Sequence, residues 1–302
     1  MRIPKGGVGF FDSGIGGLTV LAECQKKRNE EIYYYYGDNR HAPYGNLPPK
    51  KIRRYVFKVF RLFKKLQVKA AVVACNTATA VCIDELRKKF SFPIIGAEPA
   101  VCSAAKSGGK VLVLATRATC ESERFRLLCG RVGKLFPNAQ ICIRPCEGLA
   151  GAIERNLFTE GYDYTSHLPD EKADAVVLGC THYIYIVEEI RRFYSCPIFD
   201  GNAGIACRLF AILSEIEGDL GKGCTQLTTE WDDRPPDPKI AHKVGLLTTK
   251  MGKMADCHNL SNKRSQNTPS KSLKNDKGAE VIFLGKQRKN NQKTHEQMFI
   301  WS

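Results

Sequence analysis

The sequence predicts an α/β protein of two similar lobes, each a mostly parallel sheet flanked by helices, with an active site in the cleft between them. Short apolar runs alternate with longer segments of helical period through the first 215 residues, which is the pitch of a parallel α/β chain. One strand–cysteine–helix pattern occurs twice, and that suggests the two lobes. The 302 residues, 43% hydrophobic and 25% charged, have the balance of a soluble globular protein and the length of about two domains. This composition excludes a disordered or fibrous chain. No apolar run approaches the roughly 18 residues of a membrane span. The start, MRIPKGGVGFFDSG, lacks the apolar core of a secretory signal, so export by that route is not expected.

Taken in order, the apolar runs Val8–Phe11, Ile32–Tyr36, Ala70–Ala74, Pro93–Ile95, Val111–Ala115, Ile141–Ile143, Ala175–Leu178 and Ile198–Phe199 read as short buried strands. Several are rich in Val, Ile or Tyr, which suit a pleated, packed surface. Between them, Leu18–Lys27, Pro49–Leu66, Ala78–Lys89, Glu121–Lys134 and Tyr183–Phe193 read as helices. In Pro49–Leu66 the residues Ile52, Tyr55, Val56, Val59, Phe60, Phe63 and Leu66 fall on one stripe. Residues 50–69 also carry nine basic and no acidic side chains. A core-facing stripe with a solvated basic back accounts for both better than a nucleic-acid platform does, because the aromatic residues belong to the apolar face.

Beyond about Lys222 the character changes. Residues 221–302 hold 15 Lys/Arg against 8 Asp/Glu, nearly half of the chain's net +15. Segments such as 261–277 are polar, basic and nearly free of large apolar residues, too poor in burial to offset their ordering entropy. Only Val244–Leu247 and Val281–Leu284 look able to form strands there. Residues 225–302 are therefore expected to be a loosely structured basic tail.

The repeat sets Ala71–Thr77 (AVVACNT) beside Ala175–Thr181 (AVVLGCT), an apolar strand leading into a cysteine and a helical segment. A cysteine at the carboxyl end of a parallel strand, beside a helix amino terminus, stands where α/β folds bind ligands. There the helix end supplies amide donors and favours a thiolate. Two such thiols, Cys75 and Cys180, facing each other across a cleft suit one chemistry: one removes a proton from one face of a carbon while the other delivers a proton to the opposite face. The 13 cysteines are odd in number and widely spread, so reduced thiols are expected rather than a disulfide framework. Cys82, Cys102, Cys129 and Cys207 lie in apparent helices and read as buried packing. No cysteine or histidine pair has companions at zinc-site spacing.

Other candidates gather at strand ends. Asp12-Ser13-Gly14-Ile15-Gly16-Gly17 follows the first strand but is not a dinucleotide fingerprint, since Thr19 stands at the third glycine's place. The loop 37–45 joins the second strand to the basic helix and has ordinary turn composition. Thr116 and Thr119 follow the fifth strand and suit a helix cap. His182, two residues past Cys180, is placed to polarise that thiol.

Five blocks, FDSGIGGLTVL (11–21), YYGDNRHAPYGN (35–46), ACNTATA (74–80), GAEPA (96–100) and LGCTHY (178–183), resemble in order the cofactor-independent aspartate/glutamate racemase superfamily, and within it the glutamate racemases. The resemblance spans about residues 7–217. It implies that Cys75 and Cys180 are catalytic bases, Cys75 acting on D-glutamate and Cys180 on L-glutamate, assisted by Asp12, His182 and Glu154. It implies substrate contacts from Asp12, Ser13, Tyr44, Gly45, Asn76, Thr77, Thr116, Thr119, Thr181 and His182, and no pyridoxal cofactor; with the spacing above, no metal is expected. Further implications are a first lobe of residues 1–97 and about 200–224, a second of 98–199, a cytoplasmic homodimer, and D-glutamate supplied to peptidoglycan synthesis. An aspartate or other amino-acid racemase of the superfamily is the nearest alternative. A racemase scaffold with a nucleic-acid or DNA-gyrase role is another, because some relatives are described as gyrase inhibitors and the tail is basic. Ile184 replaces a proline common in the family, and the match fades beyond about Gly218.

Overall fold

The computed structural model describes residues 6–28, 31–157 and 159–216, with isolated strands beyond. Two sheets are formed. The first contains β1 (Val8–Asp12), β2 (Ile32–Gly37), β3 (Ala70–Val73) and β4 (Ile94–Gly96), and the second contains β5 (Gly109–Ala115), β6 (Ala139–Pro145), β7 (Ala175–Gly179) and β8 (Ile198–Phe199). β2, β1, β3 and β4 lie side by side in that order, and β6, β5, β7 and β8 likewise, all paired in parallel. In both sheets a strand that leads into a cysteine pairs directly with the lobe's earliest strand: β3 beside β1, and β7 beside β5.

The alternation of side chains along a strand divides each lobe into two cores. Val8 and Phe10 of β1 point to α1 (Leu18–Lys27), whereas Phe11 points to α2 (Pro49–Lys65) and α3 (Asn76–Lys89). In the second lobe Leu112 and Leu114 meet α7 (Leu149–Asn156) and α8 (Val187–Tyr194). Val111 and Val113 meet α4 (Val101–Ala105) and α6 (Glu123–Leu135). After β8 the chain returns to the first lobe, where Ile205, Leu209 and Leu213 of α9 (Asn202–Glu215) join the core beside α1.

Several elements differ from expectation. The helix read over Glu121–Lys134 is α6, starting two residues later because Ser122 adopts extended backbone and caps it through its side chain on the Phe125 N–H, and a separate short helix, α5 (Arg117–Glu121), precedes it. The segment read as a helix from Tyr183 begins as a 3-10 turn, Thr181–Ile186, and becomes α-helical at Val187. Cys82 and Cys129 are buried, but Cys102 and Cys207 are exposed. Cys207 follows Ile205 and Ala206 on α9 and points outward, past the stripe that Leu209 and Leu213 continue.

Within the stretch expected to be a loose tail, β9 (Cys224–Thr229), β10 (Leu273–Lys274), β11 (Glu280–Leu284) and β12 (Met298–Ile300) are formed. They extend the first sheet in the order β10-β11-β9-β2, with β12 on β11. Val281–Leu284 is thus a strand, while Val244–Leu247 and residues 261–272 lie outside the described residues.

Candidate active site

The carboxyl ends of β1 and β3 in one lobe and of β5 and β7 in the other converge. Asp12 is the last residue of β1, and Cys75 follows β3 as the amino-terminal cap of α3, with its Sγ accepting the Ala78 N–H at 3.4 Å. Cys180 follows β7 directly and opens the Thr181–Ile186 turn. Asp12, Ser13, Cys75, Thr77, Thr116, Thr119, Cys180, Thr181 and His182 are all buried, none more than 8% exposed. The site is therefore a buried seam between lobes.

Each thiol has its own polar neighbours. Cys75 Sγ donates to Ser13 Oγ at 3.5 Å. Burial and the nearby Asp12 charge push the Cys75 thiol up from 9.0 to about 12, against the opposing hydrogen bonds of Ser13 and Ala78, so it is protonated at neutral pH. Cys180 Sγ lies 3.7 Å from His182 Nδ1, and His182 Nε2 lies 2.7 Å from Glu154 Oε1. Burial disfavours the His182 charge, but the hydrogen bonds to Cys180 and Glu154 overcome it and hold the imidazole well above its ordinary pKa. Burial likewise pushes Asp12 up from 3.8 to about 6, with the charge of His182 and the Gly14 N–H pulling the other way.

The lobes are bonded to each other here. The Thr181 hydroxyl donates to Asp12 Oδ2 at 3.2 Å, and the Ile15 N–H donates to Glu154 Oε1 at 3.0 Å. Thr77 of α3 sits 2.9 Å from Thr116 and 3.2 Å from Thr119, which are themselves 3.0 Å apart, a hydroxyl triangle across the seam. Two glycines permit this approach. A Cβ on Gly14 would stand 1.7 Å from Glu154 Oε1, and one on Gly16 would stand 2.3 Å from Thr181 Oγ1.

Tyr44 is buried in the core of the first lobe. Its ring is buried against Phe11 and Tyr55, and its hydroxyl donates to Asp38 Oδ2 at 2.6 Å. The next residue, Gly45, is pressed so close to the seam that a Cβ there would lie 2.8 Å from Thr116 Cβ. Asn76 Oδ1 is buried without a hydrogen-bond partner, leaving an acceptor available beside Cys75. A small opening to the surface lies nearby, lined by Asn76, Glu98, Cys180, Thr181, Ile184 and Asn202. Tyr35, whose hydroxyl donates to the Gly14 carbonyl at 2.7 Å, and Tyr185, which reaches the Ile15 carbonyl at 2.7 Å, were not among the candidates read from the sequence. Tyr35 gives no such signal because it lies in an ordinary β-strand; Tyr185 stands one 3-10 turn beyond His182, a spacing visible only once that turn is known.

Residues 19–207 match the family model described as Asp/Glu/Hydantoin racemase. A protein named glutamate racemase from Clostridium acetobutylicum is 39% identical over 220 residues, covering 69% of this chain and 84% of that protein. The structure of Escherichia coli glutamate racemase in complex with L-glutamate and the activator UDP-MurNAc-Ala aligns with a TM-score of 0.69 at 29% identity, over 82% of this chain and 96% of that one. The glutamate racemase from Francisella tularensis in complex with D-glutamate aligns with a TM-score of 0.65 at 27% identity, over 82% and 94% of the two chains.

Proposed function

Because the chain belongs to the Asp/Glu/hydantoin racemase family, we propose that it interconverts L-glutamate and D-glutamate by proton transfer between Cys75 and Cys180. One observation carries this: two thiols, each at the end of a central strand of its own lobe, are buried in one seam, each with separate polar partners. In the L-to-D direction Cys180 Sγ, as thiolate, takes the α-proton, and the Cys75 thiol returns one to the opposite face. The reverse direction exchanges the roles. The net change in the enzyme is a proton moved from one sulfur to the other.

His182, held by Glu154, is the group placed to exchange a proton with Cys180; Ser13 and Asp12 serve Cys75. Asn76 Oδ1 suits the substrate ammonium, while the Thr77–Thr116–Thr119 hydroxyls and the backbone at 44–45 suit its carboxylates. Fixed dipoles in a buried site stabilise charge developing at the α-carbon more strongly than water would. We assign residues 1–97 and about 200–224 to the lobe carrying Cys75, and 98–199 to the lobe carrying Cys180. Its role, on this reading, is to supply D-glutamate for peptidoglycan in the cytoplasm; among the described residues no helix is long and apolar enough to cross a membrane.

In deuterium oxide, L-glutamate should yield D-glutamate carrying deuterium at the α-carbon. Inverted product without deuterium overturns the mechanism. Cys75→Ser and Cys180→Ser should each lose roughly 10²–10⁴-fold in kcat, the usual size of a general acid–base contribution. L-aspartate assayed in parallel by circular dichroism separates glutamate from the nearest alternative substrate.

A further inference from the structure

The segment Asp12–Ile15 belongs to the first lobe, yet much of its polar surface is held by the second. Its own lobe supplies the Tyr35 hydroxyl to the Gly14 carbonyl. From across the seam come Thr181 on the Asp12 carboxylate, Glu154 on the Ile15 N–H, and the Tyr185 hydroxyl on the Ile15 carbonyl at 2.7 Å. That carbonyl also accepts the Leu18 N–H at 3.1 Å, so Tyr185 binds where the loop turns into α1.

Tyr185 reaches this point for a geometric reason. In the 3-10 turn Thr181–Ile186, residues three apart lie above one another, which puts Tyr185 on the same face as His182. Its ring packs against the cores of both lobes, touching the cluster of Val8, Leu21 and Leu209 and that of Leu114, Leu178 and Ile190. Apolar ring and polar tip thus act together as a spacer between the turn that bears Cys180 and His182 and the loop that bears Asp12 and Ser13. The spacing is tight, since a Cβ on Gly16 would come within 2.8 Å of His182 Nδ1.

We infer that Tyr185 is a positioning residue for the proton transfer, fixing the Asp12–Ile15 loop of one lobe against the Cys180–His182 turn of the other. The inference rests on the racemase reading above. Tyr185 acts through the Ile15 carbonyl, and its loss should therefore slow turnover more than it weakens binding. Burial, with the charges of Glu154 and Asp12, holds the Tyr185 hydroxyl well above its usual pKa, so it remains a donor throughout the working pH range.

The test compares Tyr185→Phe with Tyr194→Phe in the full chain. Tyr194 makes a matching hydroxyl-to-carbonyl bond, to Pro169 at 2.7 Å, away from the seam. Tyr185→Phe should lose about tenfold or more in kcat in both directions with KM changed less than about twofold, since sub-ångström misplacement of reacting groups costs on this scale. Tyr194→Phe should keep kcat while losing a similar amount of thermal stability. Alkylation of Cys180 by iodoacetamide without substrate, followed by peptide mass spectrometry, should be several-fold faster in Tyr185→Phe than in Tyr194→Phe. Equal kcat values and equal labelling rates in the two variants overturn the inference, as does a fall in kcat matched by an equal rise in KM with no change in labelling. Wild-type protein inactive on both glutamate enantiomers overturns the function instead, and the labelling comparison still reads the role of Tyr185.

Discussion

Asp12 shows how a single residue trades stability for chemistry. Its carboxyl is fully buried and pushed up from 3.8 to about 6, so between those two values the folded state binds the proton more tightly than the unfolded state. The sign follows: stability falls as pH rises through that window, and above pH 6 the full cost, about 3 kcal/mol for some two pKa units, is present. Asp12→Asn should therefore raise stability at pH 7 by roughly 1–3 kcal/mol in urea melts, with the gain vanishing below about pH 4, while racemisation falls. An asparagine can still accept the Gly14 N–H and donate to Thr181, so the fold has no reason to reject it. Unchanged stability at pH 7 would show that Asp12 is charged there at no cost. His182 runs the other way. Its pKa is raised, so the stability it lends is complete below its ordinary 6.5 and is lost only as pH rises through the higher folded value. His182→Asn should accordingly destabilise most near pH 6 and least in strongly alkaline solution.

At the scale of elements, α2 is the clearest case of pattern becoming structure. The stripe read from its sequence is the face that packs on β1 and β3, with Ile52, Val56, Val59, Phe60 and Phe63 buried. The basic residues Lys50, Lys51, Arg54, Arg61, Lys64 and Lys65 are exposed. Phe60 stands at the centre of an aromatic group with Phe63, Phe90 and Phe92. Phe60→Ala should cost about 3–5 kcal/mol in urea denaturation, the range for truncating a buried aromatic residue. A cost below about 1 kcal/mol would mean that the group repacks around the cavity. Helix ends were less legible. Ser122 sets the start of α6 because a serine side chain can satisfy an amide there, and the separate short α5 before it does not show in the periodicity of the chain. The short α4 and the 3-10 turn after Cys180 are similarly set by packing and by the strand they follow.

For the whole molecule, the relation between the lobes decides which thiols react. Cys102 and Cys207 are exposed, and Cys75 and Cys180 are sealed in the seam. Iodoacetamide followed by mass spectrometry should therefore modify Cys102 and Cys207 before Cys75 and Cys180, and glutamate should protect Cys75 and Cys180 further. Labelling of Cys75 as fast as that of Cys207 in saturating glutamate would contradict a buried seam. Surface ion pairs that cross between lobes, such as Arg124 with Asp84 at 3.2 Å, add little, since exposed pairs are worth about 0–1 kcal/mol. The buried bonds around Asp12, Glu154 and Thr181 are the ones that set the fit. By itself the sequence determined the α/β class, the eight strands between residues 8 and 199, the paired cysteines and Asp12, Ser13 and His182 beside them, because these follow from periodicity and from motifs local to one strand end. Only the tertiary structure decided that the Tyr44 hydroxyl bonds Asp38, that Cys207 faces outward, that β11 lies in the first sheet, and that Tyr185 spans the seam. Each of these depends on which face of an element meets which neighbour from elsewhere in the chain, and the local pattern of residues does not encode that geometry.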